Sequence, residues 1–227
     1  MGAMDVIPPV RVKVSCLRSA EEARQVVSFG VAAIGMASEL PTPTQELTDE
    51  EIAAIAGAVG DEIGTFLLTA LDDPREIVEK VERCGVNTVQ LWDRLPRDAY
   101  RQIRRALPGV SIAQSIHVID DKAIDHAREL ALVADALVLA STNPEPPFRW
   151  TDPHGRTHDW EISRRIVDAV QIPVILSGGL TSRNVADAIR QVRPYGVEVC
   201  SDVRRAGALD TSRLVGFLES LDRVRPT

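Results

Sequence analysis

Short apolar runs, each followed by an amphipathic stretch, recur along the chain. The first, Val10-Arg11-Val12-Lys13-Val14, alternates apolar and polar positions and precedes a helical pattern from about Ser19 to Val27. Gly30-Val31-Ala32-Ala33-Ile34-Gly35 is a second short strand, and Thr48-Asp49-Glu50-Glu51 opens the next helix as a capping box. Strands follow at Gly64–Leu68, Val86–Leu91, Val110–Ile116 and Ala136–Leu139, with Asp73-Pro74 and about Arg97 starting helices between them. The run Pro173-Val174-Ile175-Leu176 is too short for a helix and reads as a strand buried on both faces. Gly196–Cys200 is the eighth strand, and a last helix runs from about Thr211 to Leu221.

Eight strand–helix units with no break in composition predict an α/β fold, a single (β/α)₈ TIM barrel over residues 1–227, ahead of an open doubly wound sheet. No G-x-G-x-x-G follows the first strand, as a dinucleotide fold would require. In a barrel the chemistry sits at the strand C-termini. After the seventh strand, Ser177-Gly178-Gly179-Leu180-Thr181-Ser182 makes a glycine turn, with Thr181 or Ser182 expected to cap the helix behind it. Such a turn lets backbone approach an anion, and it serves equally as a plain connection. The one long connection, Ser141 to His158, carries Phe148, Trp150, His154 and Asp152 and has the length of a functional loop.

A net charge of −7 without a basic block argues against nucleic acid and anionic membrane as partners. The three cysteines, Cys16, Cys84 and Cys200, lie far apart, so neither a disulfide framework nor a metal site is expected, and no cofactor is implied. No long apolar span appears, and a cytoplasmic location is expected. Residues 1–9 read as a tail, with Met1-Gly2-Ala3 an addition ahead of Met4.

Several motifs together resemble the phosphoribosylanthranilate isomerase family of tryptophan biosynthesis. They are Lys13-Val14-Ser15-Cys16-Leu17 with Glu21-Glu22-Ala23, Gly30–Gly35, Val89-Gln90-Leu91, Asp159-Trp160, Pro173–Gly179 with Asn184-Val185-Ala186, and Arg193–Val199. The resemblance spans nearly the whole chain. It implies an Amadori rearrangement of an aminoaldose to an aminoketose, with a general acid on the ring oxygen and a base at C2. The family's base cysteine falls on Ser15, and its acid aspartate falls on Ala140. Its Ser-Pro-Arg appears as Thr42-Pro43-Thr44, and its Gln-Leu-His-Gly as Gln90-Leu91-Trp92-Asp93. Asp202 replaces a glycine whose N–H reaches phosphate in the family, with Ser201 beside it and Arg204 as a compensating cation.

The candidate site follows from these departures. Ser15 is a poor base, because an unassisted hydroxyl ionises far above a thiol at ~8.5. Cys16 is either a small buried residue or a base displaced by one position, although neighbouring strand side chains point to opposite faces. His154 and His117 are the titratable replacements. Gly178, Gly179, Ser201, Asp202 and Arg204 are expected to hold a phosphate or other anion, and Trp92, Asp93, Gln114 and Asp159 to line the pocket. Asp159 reads equally as a helix cap. Three functions fit: an isomerase-family enzyme with a rewritten site acting on a small anionic, aromatic or sugar-phosphate ligand, a binding or scaffold protein derived from it, or the ordinary isomerase using Cys16. The chain is expected to be a monomer or homodimer.

Overall fold

In a computed structural model that describes residues 10–40, 47–141 and 157–224, eight parallel strands close into a barrel. They are β1 (Arg11–Val14), β2 (Ala33–Ala37), β3 (Gly64–Thr69), β4 (Thr88–Leu91), β5 (Ser111–His117), β6 (Ala136–Ala140), β7 (Val174–Leu176) and β8 (Gly196–Val199). β1 closes the ring against β8, pairing Lys13 with Glu198 and Val14 with Val199. Around it lie α1 (Ala20–Val27), α2 (Asp49–Ala56), α3 (Pro74–Cys84), α4 (Arg97–Ala106), α5 (Lys122–Leu130), α6 (Trp160–Ala169), α7 (Val185–Val192) and α8 (Thr211–Leu221). The expected tail, the residues Thr42-Pro43-Thr44, and Phe148, Trp150, Asp152 and His154 lie outside the described residues.

Period-2 alternation sorts every strand into two faces. One face of each strand joins the apolar layer under the helices, a continuous cluster that includes Val14, Ile34, Leu67, Val89, Ile112, Leu139, Leu176 and Val197. The other face fills the barrel, where Ala33, Phe66, Ala113, Val138 and Ile175 form a second, smaller cluster. Five of the eight helix starts, those of α1, α2, α3, α6 and α8, are set locally by a side chain that accepts an otherwise unpaired N–H and adds about 1 kcal/mol. Ser19 accepts from Glu22 N–H, and Thr48 and Glu51 form the expected capping box. Asp73 caps α3 ahead of Pro74, and Asp159 caps α6.

Three local expectations change. β2 begins three residues later than predicted, because Gly30 sits at φ +78 in the turn leaving α1 and the ladder with β1 starts only at Ala33. α7 starts at Val185 rather than being capped by Thr181 or Ser182. Asn184 ties the turn to itself instead, accepting from Thr181 N–H and donating to the Gly179 carbonyl. After β8 the chain makes a 3₁₀ turn at Ser201–Val203 and a small antiparallel ribbon, β9 (Arg204–Arg205) with β10 (Ala208–Leu209).

Candidate active site

Strand parity decides which predicted residues can meet. Ser115 and His117 share the inward face of β5 with Ala113, and Ala140 shares the inward face of β6 with Val138. His117 and Ala140 are register partners, so an imidazole stands beside the small residue at the end of β6. The His117 ring meets Trp92 edge to face at 4.8 Å between centroids, and its Nε2 lies 3.3 Å from the Trp92 carbonyl. Trp92 is itself buried. The ends of β4 and β5 therefore bring one titratable ring and one large aromatic together at the barrel mouth.

Ser15 follows β1 on the inward side, since it shares parity with Lys13. Only 7% of it is exposed, and its Oγ has no hydrogen-bond partner. It leans over Gly35 so closely that any Cβ there would collide with it. Below it lies a polar network inside the barrel. Lys13 Nζ donates to Gln90 Oε1 at 2.7 Å and sits 3.1 Å from Glu198 Oε2. Gln90 Nε2 donates to Ser115 Oγ at 3.1 Å, and the Phe66 ring lies 4.6 Å from Lys13 Nζ. Burial pulls the Lys13 ammonium below the usual lysine range, against the opposing pull of Glu198. The motifs of the sequence do not assign this network. Its signal is a charged residue at an alternate position of an otherwise apolar strand, in both Val12-Lys13-Val14 and Val197-Glu198-Val199.

Several expected site residues do other work. Gln114 is fully buried on the outer face of β5, the face opposite His117. Its Oε1 accepts from Tyr100 of α4 at 2.6 Å, and its Nε2 donates to the Leu91 and Asp93 carbonyls, so it holds the β4–α4 connection and leaves the pocket. Asp93 is exposed and contributes its carbonyl to that contact. Asp159 caps α6 through Glu161 N–H at 2.8 Å. Arg204 is held within the protein, with Nη2 at 2.8 Å from both Glu22 Oε1 and the Gly207 carbonyl, and stitches α1 to the β9–β10 ribbon. The expectation of a phosphate-compensating cation there fails, because Glu22 already holds the guanidinium.

The cysteine expectation fails as well. Cys16 and Cys200 are joined by a disulfide across the ends of β1 and β8, leaving Cys84 as the buried free thiol. Barrel closure makes neighbours of residues 184 apart in sequence. A bridged Cys16 has no thiolate to act as a base, and the bridge sits poorly with a reducing cytosol.

Between the end of β6 and the start of α6, Ser141 Oγ and His158 Nδ1 are 2.8 Å apart, and His158 N–H donates to the same oxygen at 3.2 Å. The pair clasps the two ends of the long connection together. Burial pushes the His158 imidazole down to about 4, with Asp159 acting weakly against it. Gly178 and Gly179, at φ +87 and +65, make the turn beside it. Asp202 reaches into this turn, and its Oδ2 accepts the Ser182 N–H at 3.0 Å. Ser201 is exposed on the 3₁₀ turn next to it. Among the described residues, no three His, Cys, Asp or Glu side chains converge as metal ligands would.

An eight-stranded parallel barrel with an imidazole, an aromatic and a glycine turn at its C-terminal mouth defines a (β/α)₈ barrel of the kind on which enzymes carry their sites at that end. The family model described as N-(5'phosphoribosyl)anthranilate (PRA) isomerase matches residues 13–220. The chain belongs to the phosphoribosylanthranilate isomerase family, a family of isomerases. It is 33% identical over 217 residues to the N-(5'-phosphoribosyl)anthranilate isomerase of Methanocella arvoryzae, covering 96% of this chain and 99% of the relative. Against N-(5'-phosphoribosyl)anthranilate isomerase 2 of Methanosarcina mazei the identity is 34%, with 92% of each chain covered. The solved phosphoribosyl anthranilate isomerase of Thermotoga maritima superposes with a TM-score of 0.79 at 24% identity, covering 94% of this chain and 98% of that one, which supports the fold.

Proposed function

We propose that the barrel catalyses an aldose–ketose isomerisation of an N-substituted aminosugar, with His117 supplying the proton transfers. The observation that carries this reading is the register pairing of His117 with Ala140, which sets an inward imidazole beside the position where the family's carboxylic acid is missing. Imidazole suits both directions of transfer near neutral pH. As imidazolium, His117 gives its proton to the ring oxygen while the bond from that oxygen to C1 breaks, leaving a C1 iminium. As neutral imidazole it then takes the C2 proton, giving an enolamine. The enolamine loses its O2 proton and gains one at C1, so the net change is an isomerisation with no oxidant or reductant. Trp92 holds the ring on one edge, and Ser15 offers a buried hydroxyl without a competing partner. The ligand in this reading is a small molecule, with no part for nucleic acid or membrane.

The test follows the reaction in deuterated water by proton NMR, using paired N-aryl aminopentoses with and without a terminal phosphate. Loss of the C2 proton and deuterium at C1 are expected for the wild type, with turnover reduced about 10²-fold or more in His117→Ala. A mutant within threefold of wild type, or a wild type inert on both substrates, refutes the reading. The names of the relatives favour a second reading, the ordinary family reaction on the phosphorylated aminosugar. Preferred turnover of the phosphorylated substrate would select it.

A further inference from the structure

The polar chain across the barrel interior has a fixed direction of donation. The Lys13 side chain bonds to Gln90 at 2.7 Å as a donor, so the amide oxygen faces it, and Glu198 Oε2 at 3.1 Å carries the opposing charge. With its oxygen spent on Lys13, Gln90 turns its NH₂ to Ser115 and donates to the hydroxyl oxygen at 3.1 Å. The Ser115 proton must then point elsewhere. Ser115 is only 4% exposed, and among the described residues nothing accepts that proton. A buried donor without an acceptor costs about 1–3 kcal/mol. Ser15 shows a similar surplus, since its buried Oγ, inward and one step along β1 from Lys13, has no partner. The chain is also well supported. The Phe66 ring lies 4.6 Å from Lys13 Nζ, and the absence of a side chain at Gly35 gives Lys13 and Ser15 their room. Ser115 stands one step below His117 in the inward column of β5, about 7 Å along the strand.

We infer that Ser115 is a substrate-binding residue whose hydroxyl donates a hydrogen bond to one hydroxyl oxygen of the sugar, and that Lys13, acting through Gln90, is the positioning residue that aims it. A ligand placed for proton transfer at His117 sets its sugar next to this hydroxyl, on the floor of the same pocket. Glu198 offsets the lysine charge, so the floor presents a neutral donor and no net cation for an anionic group. The bond to the ligand gives the Ser115 proton the acceptor that the protein withholds. The inference rests on the isomerase reading for the class of ligand; the direction of donation stands on the network itself.

Binding separates the two, since it needs no turnover. Calorimetric titration uses an N-aryl aminopentitol 5-phosphate, unreactive because C2 carries a hydroxyl in place of the carbonyl, and its 2-, 3- and 4-deoxy forms. Full-length wild type and Ser115→Ala are compared, each checked by circular dichroism. Ser115→Ala should weaken the parent compound about threefold to tenfold. One deoxy form, lacking the accepting oxygen, should bind wild type and variant alike, while the other two lose as the parent does. Equal weakening of all four ligands marks a merely structural role and overturns the inference, as does an unchanged affinity for the parent or a wild type that binds none of them. Lys13→Met/Glu198→Gln removes both charges together, because stripping Lys13 alone leaves a buried carboxylate unpaired. It should weaken the parent and spare the same deoxy form, and an even loss overturns the role of Lys13. Gln90→Met cuts the same chain without touching a charge and takes its place if the double variant does not fold. A wild type that shows the deoxy pattern yet turns over no aminosugar sinks the isomerase reading alone.

Discussion

Cutting the Cys16–Cys200 bridge should lower stability substantially, because it ties the first strand to the last. The bridge spans 184 residues of sequence, and the chain-entropy relation gives about 5 kcal/mol for a loop of that length. Against this stands Cys16 itself, a non-glycine residue at φ 66, which costs roughly 1–2 kcal/mol that the cut chain can release. The net loss is then about 3–4 kcal/mol. With an unfolding entropy of ~2.1 cal/mol/K per residue, a chain of 227 residues loses roughly 6–8 °C in Tm. Scanning calorimetry with and without a phosphine reductant, and on the Cys16→Ser/Cys200→Ser double variant, measures this directly. Thiol titration of the denatured chain checks the premise. Of the three cysteines, two are bridged, so one should react before reduction and three after it. The native protein should be nearly silent, since burial raises the Cys84 thiol to about 11. Three thiols without reductant, or a Tm unmoved by reduction, would refute the reasoning.

Gly178→Ala should destabilise the protein by about 2–4 kcal/mol in urea unfolding, through a strained positive φ and crowding in the turn. The new Cβ would fall 2.7 Å from Ser141 Cβ and 2.8 Å from Ser141 N, so adding Ser141→Gly should recover only part of the loss, because the backbone contact remains. A neutral effect would mean that the turn relaxes freely. His158 predicts a pH dependence. Its folded pKa of about 4 lies below the ordinary histidine value of 6.5, so the unfolded chain binds the proton first as pH falls. Stability from this group is full above ~6.5 and drains between ~6.5 and 4, by about 2–3 kcal/mol in all. His158→Gln, followed by urea melts across that window, should flatten the slope, and an unchanged slope would assign it elsewhere.

Features with local causes are legible in the order of residues alone. The capping box at Thr48, the Asp73-Pro74 start and the cap at Asp159 each depend on residues within three positions, so the sequence determines them. Eight alternating units likewise determine a parallel α/β fold, because parallel strands need helical crossovers to connect them, whereas closure into a ring is seen in the pairing of β1 with β8. Parity along β5 is also a sequence property: Gln114 and His117 are three apart and cannot share a strand face, so expecting both in one pocket overlooks a rule the sequence obeys. What only tertiary structure decides are contacts made by closing the ring. The Cys16–Cys200 bridge, the Lys13–Gln90–Glu198 network and the Arg204–Glu22 pair join residues 77 to 185 positions apart. Such pairs leave no periodicity in sequence, because each partner is placed by the register of a different strand. Asp202 shows the same division. Its carboxylate can be read from the sequence, but whether it faces a ligand or satisfies Ser182 depends on how the turns after β7 and β8 pack against each other.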